Sequence, residues 1–305
     1  MRSTAGYLLA IALAGCAASP APVPQPAALA APCGGKPTFA SGGERATLWF
    51  RHSTEFRAAS EIIYRAAEAA LRAGLADPAW SAEPTQAGDL SALPPAVVMD
   101  IDETVLDNSA QQAQMTLDGT CFEDFDKAWD AWLATRSAAA IPGAAAFIRA
   151  AREMKDPRGR PVRIVFVTNR ECVARLGNAS ACPQQDDTAA NLRSLGLDAP
   201  TLEQDLMLKG GRPEWTGEKQ TRRLAIAATH RILLYVGDDF GDFLPDVKRQ
   251  TVPEREQARC QHHDRWGRQW FMIPNPMYGS WLVALGPDLE GALASPQVIE
   301  NCDAP

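Results

Sequence analysis

The chain has 305 residues, 46% of them hydrophobic, which is enough for a sizeable core in one or two domains and too many for an intrinsically disordered protein. Its 30 Lys and Arg stand against 37 Asp and Glu, a formal net charge of −7 with no basic run, which excludes a nucleic-acid polymer as natural partner. A small anionic substrate is not excluded, because a bound metal ion inverts the local sign.

In chain order the first feature is a leader. Met1 and Arg2 precede an apolar stretch, Tyr7 to Gly15, too short to cross a bilayer, so residues 1–15 read as an export signal. The stretch closes on Leu13-Ala14-Gly15-Cys16, which resembles the bacterial lipobox. That resemblance implies diacylation of Cys16. With Ala17 and Ala18 behind it, it also implies an outer-membrane lipoprotein, periplasmic or surface-exposed, anchored by its N-terminal lipid. Residues 16–43 are Ala, Pro, Gly and Ser with almost no charge, a composition expected to stay a disordered tether, with one folded domain over 44–305. Cys33, Cys121, Cys172, Cys182, Cys260 and Cys302 form an even set that permits disulfides in an exported chain; Cys172 with Cys182 would close a short loop, and the pairing is otherwise open. No C-x-x-C pair exists, and His52, His230, His262 and His263 lack metal-ligand spacing, which argues against zinc.

Residues 44–76 carry apolar side chains at helical spacing, and Leu48, Trp49, Phe56, Ile62, Ile63 and Leu71 predict one face of a long helix ending near Gly74 and Pro78. A polar loop follows over 81–95. Three short apolar runs, 96–99, 162–167 and 232–236, predict strands buried on both faces, and helical stretches near 141–154, 186–195 and 217–229 separate them. Strands alternating with helices predict an α/β fold, a parallel sheet flanked by helices, in which ligands bind beyond the carboxyl ends of the strands.

All three runs end in reactive residues. Asp100 and Asp102 follow the first, and two carboxylates this close repel unless a cation or shared proton offsets them. If strand geometry persists they point the same way. The second run ends in Thr168, Asn169 and Arg170, a hydroxyl, an amide and a guanidinium suited to phosphate oxygens. The third ends in Asp238, Asp239 and Asp242, hard oxygen donors of the kind Mg²⁺ prefers. Between the second and third, Lys219 opens a helix.

This order, D-x-D-x-T, strand-terminal Thr, helix-borne Lys, then G-D-D-x-x-D, resembles the haloacid dehalogenase superfamily with its Rossmann-like sheet and small helical cap or N-terminal helical region. The segments 102–109, 167–170, 236–239 and 273–281 resemble more narrowly the class C acid phosphatases, bacterial outer-membrane lipoproteins also described as 5′-nucleotidases, over about residues 45–285. The resemblance implies a Mg²⁺-dependent acid phosphatase of small phosphomonoesters, nucleoside 5′-monophosphates among them. Asp100 would be the nucleophile and Asp102 the acid and base, with Thr168 and Lys219 on the phosphoryl oxygens. The Asp100 carboxylate, the Asp102 main-chain carbonyl and Asp238 would be metal ligands, and Asn169, Arg170, Asp239 and Asp242 would support them or the phosphate.

Lys209, in a Gly-rich approach longer than the family's, rivals Lys219 for the phosphate. Trp129, Trp132 and Tyr278 are candidate rings for stacking on a base. A broad phosphomonoesterase without base recognition and a non-enzymatic surface lipoprotein are the alternatives, and the oligomeric state, a homodimer included, is open.

Overall fold

The computed structural model of the chain describes residues 42–296 and residue 302; the leader, Cys16, Cys33 and nearly all of the expected tether lie outside the described residues. Two helices, α1 (Glu44–His52) and α2 (Thr54–Ala76), stand where one was expected. The break is at Ser53, whose extended backbone ends α1 and whose side chain accepts from Phe56 N at 3.1 Å, capping α2. This break shifts the helical phase. Phe56, Ser60, Tyr64, Ala67, Leu71 and Leu75 form the inward stripe of α2, whereas Leu48, Trp49 and Ile62, expected inward, are exposed.

The remaining elements are β1 (Pro95–Met99), β2 (Leu106–Asp107), α3 (Ser109–Asp118), α4 (Phe125–Thr135), β3 (Ala139–Ala140), α5 (Ala144–Glu153), β4 (Arg163–Glu171), α6 (Pro183–Ser194), α7 (Leu202–Asp205), β5 (Leu206–Lys209), α8 (Gln220–Ala227), β6 (Arg231–Gly237), α9 (Val252–Gln261), β7 (Trp270–Met272), α10 (Ser280–Leu285) and α11 (Leu289–Ala294). A five-stranded sheet runs in the order β5-β4-β1-β6-β7, every pairing parallel. β2 and β3 form a small antiparallel pair. The three predicted strands are the central three. The two edge strands, of four and three residues, carry too short a run for the sequence alone to reveal.

Alternation along each strand divides its side chains between two cores. Val97 and Met99 of β1, Ile164 and Phe166 of β4, and Leu234 and Val236 of β6 face the layer built by α2, α5 and α6. Ala96 and Val98, Val165 and Val167, and Ile232 and Tyr235 face the opposite layer around α8 and Trp270. With both faces covered by apolar packing, the polar residues that follow the strands have one place to go, beyond the carboxyl edge.

Candidate active site

β4, β1 and β6 are neighbours, so their carboxyl ends deliver Thr168, Asp100 and Asp238 side by side. β1 stops at Met99, and the chain then turns through Glu103, whose φ is +56°, and back onto Leu106. Asp100 and Asp102 therefore leave strand geometry and take different partners, contrary to the expected common direction. Asp100 forms a buried ion pair with Lys219, the residue immediately before α8. Asp102 meets Arg170, Nη2 to Oδ1 at 2.7 Å and Nε to Oδ1 at 3.0 Å, and accepts from Asn108 Nδ2 at 2.9 Å.

Among the described residues, Asp100, Asp238 and Asp242 bring carboxylate oxygens within 4.8 Å of one another. Asp102 keeps its carboxylate out of that group. Asp242, expected as a supporting residue, stands inside it: Lys219 Nζ lies 2.5 Å from Oδ1, and Oδ2 accepts from Asp238 N at 3.1 Å and Asp239 N at 3.0 Å. Asp238 accepts from Thr104 Oγ1 at 3.0 Å and Asn275 Nδ2 at 2.8 Å. Thr104, Asn108 and Asn275 fall within the motif segments that carry the resemblance, but their partners are set by the fold and were not named from the sequence.

Two buried carboxylates, Asp100 and Asp242, share one ammonium, with the half-buried Asp238 carboxylate beside them. Burial works against the charge of Lys219, yet Asp100 and Asp242 outweigh it and hold the ammonium above its ordinary value. Burial, with Asp242 and Asp102 nearby, pushes Asp100 up to about 7 despite Lys219. Burial, Asp100 and Asp242 likewise push Asp238 well above the carboxylate range. Such a cluster is unfavourable without a cation, and its hard oxygens suit a divalent one.

Thr168 is fully buried inside β4, which continues past it to Glu171. Its hydroxyl accepts from Arg170 N at 3.1 Å and lies 3.4 Å from Asp102 Oδ2. Asn169 is exposed on the site, with its Oδ1 held by Arg222 Nη2 at 2.9 Å. Arg222, a buried residue of α8, also donates to the carbonyls of Thr168 and Met207, tying the tips of β4 and β5 together. Arg170 spends its fork on Asp102 and on Thr188 Oγ1 at 2.8 Å. Asp239 accepts from Gly241 N at 2.8 Å, Ser280 N at 2.6 Å and Ser280 Oγ at 2.8 Å, and so fastens the start of α10 beside the site. Lys209, the rival lysine, is paired with Glu171 in a half-exposed position on edge strand β5 and does not reach the acidic cluster.

A cavity of about 390 Å³ opens over these groups. Asp100, Asp102, Asn169, Arg170, Lys219 and Asp238 line its floor, and Lys248, Phe125, Trp129 and Tyr278 its walls. Phe125 stacks on Trp129 with centroids 5.9 Å apart. Trp132, expected beside Trp129, is absent from these walls. It packs partly buried against the core and donates its indole N–H to Asn108 Oδ1 at 2.8 Å, because a ring drawn into the core must still satisfy its one donor.

The family model described as HAD superfamily, subfamily IIIB (Acid phosphatase), matches residues 80–281. The crystal structure of the class C acid phosphatase from Bacillus anthracis with tungstate bound is similar over 86% of this chain and 99% of that one, at 28% identity and a TM-score of 0.65. A second structure of the Bacillus anthracis class C acid phosphatase matches with the same coverage, identity and TM-score.

Proposed function

The chain belongs to the HAD superfamily, subfamily IIIB acid phosphatases, and is a phosphoric monoester hydrolase; from that premise we propose a Mg²⁺-dependent reaction through a phosphorylated Asp100. One observation carries the reading: Asp100 lies on the cavity floor, paired with the Lys219 ammonium and with its carboxylate within 4.8 Å of those of Asp238 and Asp242.

An Asp100 oxygen bonds to phosphorus while the ester P–O bond breaks, and Asp102 gives its proton to the departing alkoxide. Asp102 then takes a proton from water, the water oxygen bonds to phosphorus, and phosphate leaves with Asp100 restored. Lys219, with Asn169 at the cavity edge, neutralises or bonds the phosphoryl oxygens as their charge develops, while Thr168, expected on those oxygens, is buried beneath the floor and bonds Asp102 instead. Asp100, Asp238 and the Asp102 main-chain carbonyl would hold Mg²⁺, beside Asp242. When bound, the ion offsets the repulsion between nucleophile and substrate. The tungstate of the Bacillus anthracis relative is a tetrahedral oxyanion like phosphate, which suits this floor.

Trp129, Phe125 and Tyr278 support nucleoside 5′-monophosphates as substrates, since each ring that stacks on a base adds about 1 to 3 kcal/mol. Comparing a nucleotide with a sugar phosphate, before and after Trp129→Ala and Tyr278→Ala, tests this; an unchanged ratio favours a broad phosphomonoesterase. The lipoprotein reading adds acylation at Cys16 and the outer membrane, checked by fatty-acid labelling that Cys16→Ser should abolish.

Phosphate release by wild type and Asp100→Asn, with and without chelator, tests the chemistry. The variant should lose roughly a thousandfold or more in kcat, and chelated wild type should recover on adding Mg²⁺. Equal rates for the two proteins would refute Asp100 as nucleophile, and activity that survives chelation would refute the metal.

A further inference from the structure

The two oxygens of Asp102 are held unequally. Oδ1 accepts from Asn108 Nδ2 at 2.9 Å, Arg170 Nη2 at 2.7 Å and Arg170 Nε at 3.0 Å. Oδ2 has only longer contacts, Arg170 Nε at 3.3 Å and Thr168 Oγ1 at 3.4 Å. Oδ1 is thus saturated with donors, and Oδ2 is the oxygen left to gain and lose a proton.

The Asn108 bond depends on which way its amide faces, and an amide can turn over at little steric cost. Trp132 decides it. The indole N–H is a donor only, and it lies 2.8 Å from Asn108 Oδ1. Turned over, the amide would set N–H against N–H at the indole, and oxygen against both the Asp102 carboxylate and the Leu106 carbonyl, which now stands 3.3 Å from Nδ2. The Asn108 main-chain N–H donates to Glu103 Oε1 at 2.8 Å, which fixes the backbone from which the amide projects.

We propose that Trp132 is a positioning residue for proton transfer: its indole N–H sets the Asn108 amide, which locks the Asp102 carboxylate so that Oδ2 is the oxygen exchanging protons. This rests on the reading of Asp102 as acid and base. The role differs from stacking, because Trp132 acts through two side chains and touches no substrate.

Leaving groups separate these roles. An alkyl phosphate needs its alkoxide protonated, whereas p-nitrophenolate leaves without help, so a misplaced acid harms the first far more. Trp132→Phe keeps the ring in the core and removes the donor. Its kcat/KM, which reports the step in which the leaving group departs, should fall about tenfold on glycerol phosphate and less than about threefold on p-nitrophenyl phosphate. Asn108→Ala should show the same graded loss, and Trp132→Phe in the Asn108→Ala background should add nothing further. Equal losses on both substrates, or a rise in KM confined to nucleotides, would overturn the proposal in favour of packing or stacking. Asp102→Ala is the control. A graded loss there with none in Trp132→Phe removes only the positioning role, while equal losses in Asp102→Ala remove Asp102 as the acid and the proposal with it.

Discussion

Lys219 and Lys209 carry the same charge and stand near each other in the sequence, but one lies against Asp100 and Asp242 while the other spends its charge on Glu171 at the sheet edge. Lys219→Met should lower kcat/KM about a hundredfold to a thousandfold, as loss of a preorganised cation at a developing charge does, and Lys209→Ala should stay within about twofold of wild type. Steady-state kinetics on one small monoester checks both. Asp100 offers a second test. Its folded value of about 7 lies above its ordinary 3.8, so the fold binds this proton more tightly than the unfolded chain does. The stability linked to that proton is complete below the ordinary value and is lost as pH rises through about 7. In chelator, Asp100→Asn should therefore gain in melting temperature over wild type as pH rises from about 5 to about 8, and added Mg²⁺ should erase the gain. A constant difference across that range would count against the metal-free cluster being strained.

At the scale of elements, the short turn after β6 does most to shape the site. Asp239 and Asp242 cap one another's backbone there, and the Asp242 carboxylate folds back over Gly237. A Cβ on Gly237 would lie 2.3 Å from Asp242 Oδ2, so no side chain fits without moving the acid that holds Lys219. Gly237→Ala should cut phosphate release about tenfold or more and lower the melting temperature by several degrees, the usual result of forcing atoms into a packed site. Unaltered activity would mean that Asp242 does not need its present place. The split between α1 and α2 is of the same scale. The periodicity of residues 44–76 announces a helix, but the polar cap of Ser53 divides it and leaves Trp49 exposed although Phe56, two turns on, is buried; Ile62 faces outward within α2 itself, on the side opposite Leu71.

Across the whole molecule, the site is assembled from both ends of the domain. Tyr64 of α2 donates to the Thr104 carbonyl at 2.6 Å, behind the turn that carries Asp100 and Asp102. Asn275, Tyr278 and Ser280 arrive from the other end, within a segment closed by the disulfide between Cys260 and Cys302. That bond spans 42 residues, for which chain entropy suggests a contribution of about 4 kcal/mol. Cys302→Ser should lower the denaturant midpoint accordingly and leave the rate at 25 °C nearly unchanged, since the bond lies outside the cavity; a matching loss of rate would show that the clasp also shapes the site. Another disulfide joins Cys172 and Cys182, closing the short loop their spacing suggests, whereas nothing in their spacing pairs Cys260 with Cys302.

The central strands, the alternation of strand and helix, and the acids at three strand ends were all legible in the sequence, because a run of apolar side chains and the residue after it are local properties of a chain. Only the tertiary structure decided the rest. It turned Asp102 toward Arg170, drew Asp242 into the acidic cluster, chose Lys219 over Lys209 as the lysine at Asp100, and took Trp132 from the cavity wall to the amide of Asn108. These are choices of partner between side chains far apart in sequence, 134 residues in the case of Thr104 and Asp238. Partners of that kind are settled when two cores close on the sheet and each buried polar group must find a counterpart, a condition no local stretch of sequence expresses.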